Sequence, residues 1–195
     1  MGRIGVLALQ GGVAAHLRVL ERLGHIALEV RSADQLDGLE GLVLPGGESS
    51  VQWRLIERHH LASALEAHVA KSLPLLATCA GLILAARTVV NPQQRSFGWL
   101  NLTVARNAWG RQLDSFESRD DEDRHPLVFI RAPRVVEVGE GVEVLATLLG
   151  EPVWVRQGQV FAATFHPELT ADVSVHQRVF GSAKDTRPGP RSPAC

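Results

Sequence analysis

The sequence predicts an α/β fold: a three-layer α/β/α sandwich on a mostly parallel central sheet, with antiparallel strands added in the second half. Two observations carry that prediction. In the first half, short and solidly apolar runs alternate with segments of helical periodicity, the pattern of parallel strands covered on both faces. In the second half the runs are shorter and β-rich, and Gly-containing or charged turns separate them. A third observation sets the scale: 195 residues, 45% hydrophobic, suit one globular domain with a sizeable core.

The elements follow in order. Residues 4–9 (IGVLAL) form the first apolar run, closed by Gln10-Gly11-Gly12. Val13, Leu17, Leu20 and Leu23 recur at helical spacing, and Gly24 is a C-terminal stop. Residues 26–30 read as a second strand, and residues 42–44 as a third that ends at Pro45-Gly46-Gly47. A helical stretch covers residues 49–71, and HHLAS at 59–63 looks like a joint that would divide it in two. Residues 75–78 are a fourth buried strand, and residues 82–87 open another helix. Beyond residue 99, LNLTVAR, LVFIRA, VEVLATLL, PVWVRQ and QVFAATF are expected as strands and hairpins added to one edge of the sheet. The charge run RDDEDRH, residues 119–125, reads as a solvated loop, since it lacks the Gly and terminal Glu of a calcium loop. After Gly181 the composition collapses to SAKDTRPGPRSPAC. The domain is therefore expected to span 1–181, with a disordered tail over 182–195.

Composition narrows the function classes. A formal net charge of −1 calls for neither a nucleic-acid nor a membrane partner. No apolar stretch is long enough to span a bilayer, and MGRIGVLALQGG has no secretory n-region or cleavage site. Cys79 and Cys195 lie far apart, so no structural disulfide is expected and a reducing cytoplasm is the default location.

Three short segments carry chemistry. In LLATCAGLIL, residues 75–84, Cys79 falls where a strand meets a helix. Such an elbow lifts a nucleophile into a crevice, and the helix N-terminus stabilises a thiolate and an oxyanion. A buried space-filling thiol fits the same segment. A nucleophilic Cys needs a base. His16, His25, His59, His60, His68 and His176 lie on or beside helical segments and read as surface or capping residues, and His125 sits in the charged loop. His166 differs: it ends the strand VFAATF and precedes Pro167 and Glu168. Glu168 can reach the far ring nitrogen and fix the tautomer, although a loop His beside a loop Glu is the plain alternative. In PGGES, residues 45–49, two glycines can offer unobstructed backbone N–H groups for half an oxyanion hole, with the Ala80 N–H as the other half. A flexible turn would look the same.

In the order strand–PGGES, strand–TCAG, strand–FHPE, these segments become specific together. The chain resembles the class I (triad) glutamine amidotransferases, and within them the family of glutaminase subunits of pyridoxal 5'-phosphate synthase. The resemblance covers residues 4–180 and rests on IGVLALQGGVAAH, GLVLPGGESS, TCAGLILAA, NLTVARNAWGRQLDSFE, VFIRAP and FHPELT. It implies a flavodoxin-like sandwich and a Cys79–His166–Glu168 triad that forms a γ-glutamyl thioester. It implies that the backbone at Gly46, Gly47 and Ala80 stabilises the oxyanion. Glu48 and Ser49 would line the glutamine pocket. Arg106, Ile130 and Arg131 would lie beside the bound amino acid, where a guanidinium can grip its α-carboxylate. Gln10 would respond to a partner. It further implies that ammonia passes to a separate (β/α)8-barrel synthase subunit docked near the helix that starts at Val13, with no metal and no cofactor in this subunit. One departure stands out: Ala77, two residues before Cys79, replaces a usual Gly. Another triad amidotransferase subunit, a γ-glutamyl peptide hydrolase or a catalytically dead scaffold of the same fold are the competing readings.

Overall fold

A computed structural model describes residues 1–106 and 115–181. The RNAWGRQLD part of the family-specific run therefore lies mostly outside the described residues, as do the tail 182–195 and Cys195. The central sheet has seven strands in the order β10-β11-β12-β4-β3-β1-β2. Its parallel part is β1 (Arg3–Leu7), β2 (Ile26–Val30), β3 (Gly41–Leu44), β4 (Leu75–Thr78) and β12 (Val160–Ala163). The antiparallel strands β11 (Glu151–Gln157) and β10 (Glu143–Leu148) finish one edge.

Side chains along each strand alternate between two cores, as the period of two requires. On β3 and β4, Leu42, Leu44, Leu75 and Ala77 join one cluster, and Val43 and Leu76 join the other. The first cluster lies under α2 (Ser49–Arg58), α3 (Ala62–Ala70) and α4 (Ala80–Ala85). The second lies under α1 (Val13–Arg22) and α5 (Ser174–Phe180) and holds the fully buried Phe129, Trp154 and Phe165. Each such ring contributes roughly 1.5–3 kcal/mol of burial, so both faces are strongly held. Ala77, the departure at the elbow, is fully buried in the first cluster opposite Leu44 and Ala162. Among the described residues no helix is long and apolar enough to cross a membrane.

The expected fold class is what the structure has, and the joint in HHLAS separates α2 from α3. Three details differ. The helix after Cys79 ends at Ala85, and β5 (Ala86–Val90) begins at once. Thr88, Val89 and Val90 are β-branched and favour the strand. The late strands do not all extend one edge. β12 is inserted beside β4, whereas β5, β6 (Leu100–Ala105) and β9 (Arg134–Val138) make a separate three-stranded sheet, and β7 (Ser115–Arg119) pairs with β8 (Pro126–Ile130). The charge run is pinned more firmly than a solvated loop. Asp120 is buried and accepts from the Arg124 and His125 amides, and Asp121 accepts from Leu149 and Gly150.

Candidate active site

Strands β1, β3, β4 and β12 end side by side, so the loops that follow them share the carboxyl edge of the sheet, where α/β folds place their ligands. Cys79 occupies the turn from β4 into α4. Its backbone has φ 47° and ψ −102°, a region that L-residues rarely adopt. The amide of Cys79 donates to Ala163 O at 2.8 Å, which ties the elbow to the end of β12. The side chain is 5% exposed, and its Sγ lies 3.9 Å from Ile130 O. Ala80, as the first residue of α4, presents a first-turn amide that has no acceptor within the helix.

His166 stands at the end of the segment after β12, held by its amide to Val128 O at 2.8 Å. Its Nδ1 is 2.7 Å from Glu168 Oε1, which leaves Nε2 for the thiol. Pro167 starts a short 3-10 turn that brings Glu168 back beneath the ring. Burial opposes a charge on His166, but its hydrogen bonds to Cys79 and Glu168 and their negative charges overcome it, and its pKa is pushed up to about 10. Burial likewise opposes ionisation of Glu168. The adjoining His16 and the His166 hydrogen bond outweigh it and hold the carboxyl below its usual range.

The loop between β3 and α2 packs against this set. A Cβ on Gly46 would lie 2.3 Å from His166 Cε1 and 3.4 Å from the Cys79 Cβ, so only glycine lets the ring approach. Gly11, at φ 108°, allows the loop after β1 to meet the Gly46 carbonyl, which accepts from the Gly12 amide at 3.0 Å. Gln10 Oε1 accepts from the Glu48 amide at 2.8 Å, and Gln52 Nε2 donates to Gln10 O and Pro45 O. The Gly46 amide does not face the pocket freely: it donates to Thr78 Oγ1 at 3.0 Å. Of the expected oxyanion donors, Gly46 is thus already committed. The trans peptide turns the Gly47 N–H to the side opposite the Gly46 carbonyl.

A cavity of about 190 Å3 opens over Cys79 and His166. It falls below the roughly 300–1,000 Å3 of drug-sized sites and suits a small metabolite. Gln10, Gly47, Glu48, Ser49, Arg106, Ile130 and Arg131 line it. Ile83 completes the lining and was missed from sequence, because its place in α4 reads as plain core. Arg106 donates to Glu48 Oε1 at 3.1 Å. Burial opposes ionisation of Glu48, but hydrogen bonds from Ser50 and the charges of Arg106 and Arg131 hold it below its usual range. Arg131 adopts φ 44° at the pocket rim. Ser49 is buried and donates to Gln94 Oε1 at 2.8 Å, so a residue of the loop after β5 also supports the wall.

The surface reading of the helical histidines fails for four of them: His16, His25, His68 and His176 are buried. His16 follows Val13 by three residues and precedes Leu20 by four, so it shares the inward face of α1. That spacing was the available signal.

Fold and geometry define the class: an α/β protein with a cysteine–histidine–glutamate set at the carboxyl edge of its sheet, beside a pocket with carboxylate and guanidinium walls. The chain belongs to the SNO glutamine amidotransferase family, whose profile matches residues 6–182. The pyridoxal 5'-phosphate synthase subunit PdxT of Corynebacterium jeikeium is 49% identical over 181 residues, 89% of this chain and 93% of its own. The subunit of that name from Thermotoga maritima is 44% identical over 180 residues, 90% and 96% of the two chains. A crystal structure of a glutamine amidotransferase superposes with a TM-score of 0.85 at 46% identity, covering 90% of this chain and 96% of its own. The structure of PurLQS from Thermotoga maritima, 18% identical with a TM-score of 0.67, shares the fold alone.

Proposed function

We propose that the chain is the glutaminase subunit of a pyridoxal 5'-phosphate synthase. It releases ammonia from L-glutamine and passes it to a synthase subunit docked against it. The observation that carries the reading is the His166 ring, placed between Cys79 and Glu168 under a metabolite-sized pocket with opposed charges on its walls.

The chemistry follows from those positions. Glutamine enters with its α-carboxylate toward Arg106 and Arg131 and its α-ammonium toward Glu48. His166 Nε2 takes the thiol proton, and Cys79 Sγ attacks the side-chain amide carbon. The Gly47 and Ala80 amides stabilise the oxyanion. When the tetrahedral species collapses, His166 gives its proton to the departing nitrogen, and ammonia and a γ-glutamyl thioester result. A water, deprotonated by His166, cleaves the thioester to glutamate and restores the thiol. Glu168 holds the tautomer and steadies the imidazolium throughout. One domain over residues 1–181 carries this reaction.

The test is ammonia release from L-glutamine by the chain alone and with the synthase subunit from the same source. Little release alone and a large rise on mixing are expected. Strong release unaltered by mixing would point to a free-standing hydrolase, and none in either case would overturn the reading.

A further inference from the structure

A buried polar chain runs behind Glu168, on the side away from the pocket. His16 Nδ1, on α1, lies 2.8 Å from His176 Nε2, on α5. His16 Nε2 is hydrogen-bonded with Thr78 Oγ1 at 3.2 Å and lies 3.4 Å from Glu168 Oε2, which makes no hydrogen bond among the described residues. Both histidines are 0% exposed, and neither lines the cavity.

The approach of Glu168 Oε2 to His16 Nε2 decides the arrangement. A neutral imidazole has one N–H and one lone pair. Glu168 is ionised, so its Oε2 only accepts. A lone pair on His16 Nε2 would face that oxygen, so Nε2 carries the proton. His16 Nδ1 then accepts from the His176 Nε2–H. Thr78 Oγ1 already accepts the Gly46 amide, and its second lone pair meets the same His16 proton. His176 Nδ1, left without a proton, has no hydrogen-bond partner among the described residues and needs no acceptor. Burial pushes both rings below the ordinary histidine value, His176 to about 3. Glu168 favours a charge on either ring and Asp172 a charge on His176, whereas His166 opposes one on His16 and His16 opposes one on His176.

We infer that His16 is a positioning residue of this site: its Nε2–H, aimed by His176, bonds Thr78 Oγ1 and through it the loop at Gly46, and sets its positive end 3.4 Å from the outer oxygen of Glu168. One proton thereby couples the orienter of the triad to the loop beside the thiol. The kinetic consequence rests on the glutaminase reading; the tautomer rests on geometry alone.

Two measurements on the full chain test it. Ring-nitrogen 15N NMR of the wild-type chain needs no partner, substrate or variant. His16 and His176 are expected as neutral Nε2–H tautomers from about pH 5 to about pH 8, where an ordinary histidine titrates. A Nδ1–H tautomer at His16, or a ring that charges in that range, overturns the inference. The second measurement compares His16→Gln, His16→Asn and His16→Leu in ammonia release with the synthase subunit present. Gln carries an amide nitrogen near the place of Nε2, Asn carries one near Nδ1, and Leu only fills volume. The Leu and Asn variants are expected to lose about tenfold in kcat with KM held within about twofold, the scale of one buried hydrogen bond, and Gln to recover kcat to within about threefold. The acid limb of kcat/KM moves to higher pH in the Leu variant, because Glu168 has lost the positive end of the N–H dipole beside its outer oxygen. A Leu variant with wild-type kcat and acid limb reduces His16 to packing and overturns the inference. Should Leu fail to fold by circular dichroism, the Asn and Gln pair decides. Should wild type release no ammonia with its partner, the glutaminase reading fails while the NMR result still stands.

Discussion

On the pocket side of Glu168, His166 is 8% exposed and its pKa is pushed up to about 10. On the helix side, His176 is 0% exposed and is pushed down to about 3. Burial works against a charge in both places. The difference lies in what each ring meets. His166 meets a thiol and a carboxylate, both able to carry negative charge, whereas His176 meets another imidazole that must stay neutral beside it. The same carboxylate thus borders two regions of opposite use: one holds a proton ready for transfer, and the other holds hydrogens fixed. Partners, more than depth of burial, decide what a buried histidine does.

The largest expected effect breaks the pocket side. Cys79→Ser and His166→Asn should each reduce partner-stimulated ammonia release by at least about 10³-fold. Both should leave the circular dichroism spectrum unchanged. A variant with near-wild-type turnover would remove its residue from the mechanism.

Glu168→Gln sharpens the comparison, because it keeps the shape but removes the charge that both regions share. A loss of about 10²–10⁴-fold in kcat is expected. The high-pH limb should also fall to lower pH, since His166 would no longer be held up to about 10 by the carboxylate. A high-pH limb that stays in place would mean that the thiol alone keeps the His166 proton.

The two regions were not equally legible in the sequence. TCAG, PGGES and FHPE could be read because each follows an apolar run, and their order along the chain makes them specific together. Strand β4 and the break between α2 and α3 were read for the same reason: an apolar run and a joint are local signals. The region behind Glu168 depends on contacts that the chain order hides. His16 meets Thr78 across 62 positions and His176 across 160. Its helical spacing placed it beside Val13 and Leu20, but a polar residue on an apolar face has no visible partner until the sheet is assembled. The insertion of β12 beside β4, and the turning of the Gly46 amide toward Thr78, are likewise properties of assembled strands.

The smallest expected effect is on stability, and it separates the two regions by pH. An unfolded histidine titrates near 6.5. His166, at about 10 in the folded chain, binds more proton there than in the unfolded chain between those values. Its stabilising contribution is fully present below about pH 6.5 and is lost as pH rises through about 10. His176 runs the other way. With a folded value of about 3, it binds less proton than the unfolded chain below about pH 6.5, so stability falls as the solution is acidified from there toward 3. His16, also lowered, adds to the acid side. Each group can contribute a slope of at most about 1.4 kcal/mol per pH unit. His176→Gln should therefore flatten the urea-unfolding free energy between about pH 6.5 and about pH 5 by on the order of 1 kcal/mol, and leave the alkaline side as it was. Cys79→Ser removes a main support of the His166 proton and should flatten only the alkaline side. If the His176→Gln curve instead runs parallel to wild type as the pH is lowered, His176 is charged in the native chain. The region behind Glu168 would then be a second charged site rather than a fixed neutral one.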